Sequence, residues 1–450
     1  NIEKVYFLAL STRKLLLTYL NMMNETDRDS YSNKRVDLPG SLLYELHREL
    51  WGSFQKNVSL KIDREFKFNF KQYGNDIKNL ITIENSHKVF NPSVMETLIK
   101  SFGSIFGTKM SGRQGIVQDL NRNVMLGTLS HLRRLSYPLD KGSTTIGPRK
   151  LHNSQWGFVC PTESPDGSNT GIINHLSLLA QVSSNISTEG IEIALVDLGV
   201  KKLKDIIFLD LYNKCKIYVN GKVYGVYDEP ENLYKLLRLM KSNSFIHYHT
   251  SIRWNKYTNE IYIFTDGGRI LRPILVLINI DGGRSNNLMK NDLSTATCWD
   301  NLFGGYIYET KGIVNSSAIY YRDEFLEIQK KYENMIEFLE QKQGQLEYID
   351  SLESEDFMIS KDLYSCDKTE YTHCELHSSL IMSAVALNIP FPEHSQYPRN
   401  VFSCQQTKQA VGVYSSAYNT RFDTFAHILN SPQKPIVTTR YKKYTDVDKL

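Results

Sequence analysis

Apolar residues recur at helical spacing near the start of the chain. Val5 to Met23 and Leu42 to Phe54 each read as an amphipathic helix. In the second, Leu43, Leu46, Leu50 and Phe54 fall on one face, with Pro39 in a suitable starting region. The spacing predicts a mostly helical module over residues 1–100. Between 101 and 181 glycine is frequent and polar loops alternate with short apolar runs, as in Ser101–Lys109. A loop-rich module is expected there, and loops carry function more often than cores do. From about 184 to 280 the pattern turns to strands. Lys216–Gly225 holds Asn220-Gly221 between β-rich arms, a strong hairpin signal.

A short helical pattern follows (Leu233, Leu236, Leu237, Met240), then β-rich Ile261–Phe264, a turn at Thr265–Gly268, and β-rich Ile274–Ile278. Residues 322–342 carry Phe325, Ile328, Tyr332, Met335 and Leu339 at three- and four-residue steps, which predicts one amphipathic helix. With the acidic stretch Asp350–Asp356 it reads as a solvated surface element in preference to a partner-binding motif. The last eighty residues return to polar loops. No internal repeat is present. The expected fold class is mixed α/β and multidomain.

Composition narrows this. Among 450 residues, 41% are hydrophobic, and 27 Tyr with 20 Phe supply bulk for several cores, which excludes a disordered chain. Length suggests roughly three domains of about 150 residues. Fifty-three Lys+Arg against 49 Asp+Glu leave a mild excess of +4. The longest apolar stretch, Ile381–Phe391, is interrupted by Ser383, Asn388 and Pro390. It falls short of the ~18 to 20 apolar residues that span a bilayer, and no signal-peptide pattern opens the chain. Six cysteines without a C-x-x-C pair encode neither a disulfide framework nor a zinc ribbon. A soluble, intracellular protein is expected. The first residue, Asn1, suggests a piece of something longer.

Phosphate-loop, dinucleotide and hydrolase-elbow motifs are missing, and no carboxylate cluster looks able to hold catalytic magnesium alone. His373-Cys-Glu-Leu-His377 would bring two histidines to one helix face, as in zinc sites. Yet Glu375 is offset from the usual position and Tyr371-Thr372 favours extended chain, so hydrogen-bonded structural histidines are the preferred reading. Basic groups concentrate in the loops: Lys34-Arg35, Arg113, Arg122, Arg133-Arg134, Lys141, Arg149-Lys150, Arg399 and Lys408 alternate with His152, Trp156 and Phe402. Such clusters suit phosphate neutralisation and base contact along a nucleic-acid path. A near-neutral chain with local basic loops fits one side of a channel.

Read as words, several of these loops resemble those of a known family. Thr26–Gly40 looks like its DRDxxxNKRxDLxG segment, and Leu129–Arg134 and Pro148–Gly157 look like its SHLRR and PRxLHxxxWG words. Cys160–Gly167 is similar to CPxETPEG, and Phe264–Pro273 to FTDAGRxxRP. Tyr371–His377, Ile389–Asn400, Lys408–Gly412 and Pro432–Pro435 complete the series in family order. The chain thus resembles the second-largest, β-type subunit of multisubunit DNA-dependent RNA polymerase in its eukaryotic, archaeal or large-DNA-virus form.

The resemblance implies the end of a protrusion (1–100), a fork (101–183), external modules (184–276 and 277–370) and the start of a β-rich hybrid-binding domain (371–450). It implies that Gln118 lies near the RNA of the hybrid, that the Asp140–Pro148 loop with Lys141 lies near downstream DNA, and that Arg133 and Arg134 contact nucleic acid. Arg149 would face the active-centre cavity, and Arg399 would approach the nucleotide triphosphate. Phe402 and Asp166 would touch the trigger loop of the largest subunit, and Lys408 and Gln409 would lie near the RNA 3′ end. Two departures stand out. Asp166 is a methylene shorter than the family's Glu, and Phe402 lacks the hydroxyl of the usual Tyr. An ion pair inside the fork is the alternative for Arg149 and Arg399.

By the same resemblance, Mg2+ is held mainly by the largest subunit, and this segment holds no zinc. The implied partners are the largest and smaller polymerase subunits, template DNA, the RNA–DNA hybrid and nucleoside triphosphates, with no membrane. The location would be the nucleus of a cellular eukaryote, or the cytoplasm or virion for a large DNA virus. A nucleic-acid-binding or assembly module, as one piece of a split subunit, is the non-enzyme alternative.

Overall fold

The computed structural model describes residues 2–73, 86, 89–90, 96, 100, 118–139, 144–206, 214–280, 283–285, 299–312, 320–362, 370–423, 425–426, 429–431 and 433–445. The readings of Arg113, Lys141 and the first part of the Asp140–Pro148 loop lie outside these residues. Two compact units are present, one formed by Asp37–Asn121 and the other by Asn1–Val36 with Arg122–Leu450.

In the first unit, α2 (Pro39–Tyr73) runs well past the helix that the sequence pattern predicts, and buries Leu46 and Leu50. In the second, α1 (Ile2–Tyr19) ends near Asn21, whose φ of 56° breaks the helix. Lys14 of α1 donates to the Tyr262 hydroxyl at 2.9 Å and pairs with Glu260.

The larger unit continues through α3 (Met125–Leu132), β1 (Arg134–Ser136), β2 (Ile173–His175), β3 (Gln181–Val182) and α4 (Glu189–Asp197). A five-stranded sheet follows, built from β4 (Lys201–Lys202), β5 (Cys215–Val219), β6 (Lys222–Tyr227), β7 (Ser251–Asn255) and β8 (Glu260–Phe264), in the order β4-β6-β5-β8-β7. Within this sheet β5 and β8 run parallel, and the other described pairings are antiparallel. The β5–β6 hairpin turns at Asn220 (φ 48°) and Gly221 (φ 79°), as the Asn-Gly signal predicts, because that turn needs two positive φ values.

α5 (Pro230–Ser242) packs on this sheet through Leu233, Leu237 and Met240. The second sheet is centred on β9 (Ile270–Val276), buried along its whole length. Next come the short pair β10 (Ile278–Ile280) and β11 (Gly283–Ser285), then α6 (Trp299–Phe303) and α7 (Gly305–Lys311).

The single helix predicted over 322–342 is two helices, α8 (Arg322–Lys331) and α9 (Met335–Lys342). Tyr332 takes extended backbone between them, and its ring stacks on Phe338 at 4.1 Å. Both rings are partly buried against the core, and their stacking favours the break in the helix. The core under both helices joins residues from Ile191 to Leu339.

The acidic stretch is only partly a solvated surface: Glu355 and Asp356 are exposed, but Asp350 and Glu353 are not. β12 (Leu346–Asp350) leads into α10 (Ser351–Ser354), and Asp350 and Glu353 are buried in a reciprocal cap. Glu353 also holds Lys241 at 2.9 Å and accepts from the Ile252 amide. Buried carboxylates survive here because each is paired.

β13 (Ile359–Ser360) and β14 (His373–Cys374) complete the second sheet, ordered β12-β9-β14-β13, with β3 also on β9. Pro273, which has no N–H to donate, falls between the stretches of β9 that pair with β3 and with β14. After three short 3-10 turns comes α11 (Tyr397–Gln409), and α12 (Lys442–Thr445) ends the described chain. Among the described residues no helix is long and apolar enough to cross a membrane.

Candidate functional site

α11 is divided lengthwise by its own sequence. Val401, Cys404 and Lys408, three and four residues apart, are buried, whereas Arg399, Phe402, Gln406 and Gln409 are exposed on another face. The apolar side rests on a core of Leu126, Cys160, Val385 and Ala386. At the N-terminal end Pro398 occupies the first turn, where no intrahelical N–H is lost. Asn400 donates to the Pro392 carbonyl at 2.8 Å, tying the helix to the preceding turn. Phe391 in that turn has a φ of 47°, a conformation that favours glycine and costs energy for a bulky residue. On the exposed face the Arg399 guanidinium lies 5.8 Å from the Phe402 ring centre, within cation–π range.

The 160–171 loop forms the second part. Cys160 donates its amide to His175 at 2.9 Å, and Ser164 bonds both the Ile173 carbonyl and the Gly171 amide. Arg149 donates to the carbonyls of Ser168 (2.7 Å) and Thr170 (3.0 Å). Gly171, at a φ of 75°, lets the Arg149 backbone approach closely; a Cβ there would sit 2.6 Å from the Arg149 Cα. Asp166 is exposed just before the Gly167–Asn169 turn and makes no side-chain cap.

Glu163 joins the two parts. Its side chain is 1% exposed, and its Oε1 accepts from Ser130 Oγ of α3 at 2.5 Å and from Lys408 Nζ of α11 at 3.2 Å. His175 Nδ1 lies 3.1 Å from the Glu163 carbonyl and so donates to it. Burial alone raises the Glu163 carboxyl, but His175, Lys408 and the hydroxyls of Ser130 and Ser383 outweigh it and hold it below its ordinary range. Burial brings His175 down to about 4, although Glu163 pulls the other way, so the imidazole is neutral at pH 7. The cation facing Glu163 is therefore Lys408.

The sequence-derived candidates fare differently. Arg399, Phe402 and Gln409 share the exposed side of α11, and Arg149 and Asp166 share the 149–171 loops. Lys408 is turned inward onto Glu163 and is 6% exposed. Arg133 donates through Nη2 to the carbonyls of Ser177 (2.6 Å), Leu178 (3.1 Å) and Ala180 (2.8 Å), a clamp on its own backbone. Arg134 lies in β1, opposite His175 of β2. Gln118 is exposed and belongs to the Asp37–Asn121 unit. Sequence reasoning missed Glu163. Its signal was an acid inside a word of small residues, but its partners lie 33 and 245 positions away.

His373 and His377 do not share a helix face. His373 is in β14, buried 3.4 Å from Glu347, and His377 caps a 3-10 turn through Ser379. Among the described residues no group of three or more His, Cys, Asp or Glu is placed to hold a metal ion. A cavity of about 620 Å³ beside α5 is lined by Tyr234, Arg238, Trp254, Glu340 and His373.

Three segments match family models: residues 118–182 match RNA polymerase Rpb2, domain 3; residues 217–278 match domain 4; and residues 385–450 match domain 6. DNA-directed RNA polymerase II subunit RPB2 of Encephalitozoon cuniculi is 32% identical over 446 residues, covering 98% of this chain and 36% of that protein. DNA-directed RNA polymerase subunit Rpo2 of Sulfolobus acidocaldarius is 31% identical over 450 residues, 97% of this chain and 35% of that protein. DNA-directed RNA polymerase II subunit 2 of Arabidopsis thaliana is 31% identical, over 97% of this chain and 34% of that protein. The chain spans about a third of the length of the curated relatives it matches.

Proposed function

The chain belongs to the family of second-largest RNA polymerase subunits, and on that premise we propose that it forms one wall of the active-centre cleft of a DNA-directed RNA polymerase. In this reading it acts inside the cell, is active only when assembled with the largest subunit, and lies against the RNA–DNA hybrid, downstream DNA and the incoming nucleoside triphosphate. Catalytic magnesium belongs to the largest subunit.

The observation that carries the reading is the split of α11. A helix with one buried edge and an exposed Arg399, Phe402 and Gln409 presents a cation, a stacking ring and an amide together. Arg399 supplies charge to the nucleotide phosphates, where a fixed guanidinium is suited to phosphoryl oxygens. Phe402 packs against the trigger loop, and Asp166 lies beside it. Gln409 stands near the RNA 3′ end, with Lys408 behind it. Arg149 and Arg134 border the nucleic-acid path, with Arg133 bracing that border from within; Gln118 and Lys141 are each read separately as nucleic-acid contacts. The test is Arg399→Ala in the assembled polymerase. Nucleotide addition slows strongly while subunit assembly is retained; an unchanged elongation rate refutes the role.

A further inference from the structure

We propose that Glu163 is a positioning residue for nucleotide binding: by gripping Lys408 it sets the rotation and axial register of α11, and through the helix the reach of Arg399. The inference rests on the reading of Arg399 given above. The core beneath α11 is apolar, made by Cys404 against Leu126, Cys160, Val385 and Ala386. Apolar contact is non-directional and does not by itself select one register. Directional bonds do, and among the described residues one holds this helix near each end. One is Asn400 to the Pro392 carbonyl, near the N-terminal end. The other is Lys408 Nζ to Glu163 Oε1, near the C-terminal end.

That second bond has a rigid base. Glu163 Oε1 also accepts from Ser130 of α3, and the Glu163 backbone carbonyl accepts from His175 of β2. The carboxylate therefore cannot follow the helix if the helix slides. Arg399 stands nine residues before Lys408 along α11. At about 1.5 Å per residue that is roughly 13 Å, and a slip of one residue turns the exposed face by about 100°. The loop that carries Glu163 also carries Asp166 and the carbonyls that hold Arg149. One buried carboxylate thus references both groups of exposed side chains to a single frame.

The experiment uses the assembled polymerase containing this chain, with single-nucleotide addition measured over a range of nucleotide concentrations. Glu163→Gln keeps the shape but removes the charge that holds Lys408. The expected result is a rise in nucleotide KM of about tenfold. Glu163→Asp, which keeps the charge on a shorter arm, is expected to raise KM less than threefold. In an Arg399→Ala background Glu163→Gln is expected to add nothing further to KM, because the residue it positions is gone. A parental KM in Glu163→Gln overturns the proposal, and so does an increase that persists undiminished over Arg399→Ala. Should Glu163→Gln fail to assemble, Ser130→Ala loosens the same carboxylate without stranding a charge. It is expected to raise KM two- to threefold only when Arg399 is present, and a parental KM there overturns the proposal. An unchanged KM in Arg399→Ala alone overturns the underlying reading instead.

Discussion

Lys408 Nζ lies 3.2 Å from Glu163 Oε1, joining two side chains 245 positions apart, both buried. Breaking a buried ion pair from one side leaves a desolvated charge and costs about 3–5 kcal/mol, whereas removing both charges costs far less. Lys408→Met is therefore expected to loosen α11 and the 160–171 loop. Amide hydrogen exchange in the assembled enzyme should accelerate in those two segments. Glu163→Gln combined with Lys408→Met should return exchange most of the way to the parental rate. Equal exchange in the single and double variants would show that the pair does not hold the segments together.

A second expectation concerns acid. His249 is brought down to about 3, chiefly by burial and then by His247, Arg269 and Lys241. An unfolded histidine titrates near 6.5. Between these values the unfolded chain binds more protons, so this group's contribution to stability is complete above pH 6.5 and is lost as pH falls toward 3. Glu353 works in the opposite sense. Burial lifts it to about 7, so its contribution is present at low pH and lost as pH rises. Comparing the parent with His249→Gln isolates the histidine: the urea midpoint should fall less between pH 7 and pH 5 in the variant. Identical slopes would contradict the buried neutral imidazole.

Gly171 holds a positive φ where a Cβ would meet the Arg149 backbone. Gly171→Ala is expected to cost about 1–3 kcal/mol from the backbone conformation alone, with the clash added. The Arg149–Ser168 and Arg149–Thr170 bonds should weaken with it. Limited proteolysis of the assembled enzyme should show faster cleavage within 149–171, and parental resistance would count against the close approach.

Arg133 clamps three carbonyls, so its loss should appear in stability, with nucleic-acid affinity unaffected. Arg133→Ala strands acceptors at about 1–3 kcal/mol. The dependence of DNA affinity on salt should keep its slope, since a phosphate-contacting cation would reduce that slope by about one. A slope reduced by one in Arg133→Ala would place the guanidinium on phosphate.

The family words, the Asn220-Gly221 hairpin and the helical N-terminal segments were legible because their causes are local. Turn chemistry and periodicity act over a few residues. The 322–342 region misled for the opposite reason. Its periodicity continues through Tyr332, but stacking on Phe338 and burial against the core interrupt the helix there. Glu353 read as solvated because its partners, Lys241 and the Ile252 amide, are about a hundred positions away.

The kind of protein is written in the order of its residues: a mixed α/β chain whose basic loops occur in the order of a polymerase subunit. Which of those basic groups face outward is a property of the folded chain. Lys408 and Gln409 are neighbours in sequence and alike in polarity, yet one is sealed against Glu163 and the other is open to solvent. Burial of a charge depends on whether a distant carboxylate arrives to compensate it, and that is decided by packing between elements far apart in the chain.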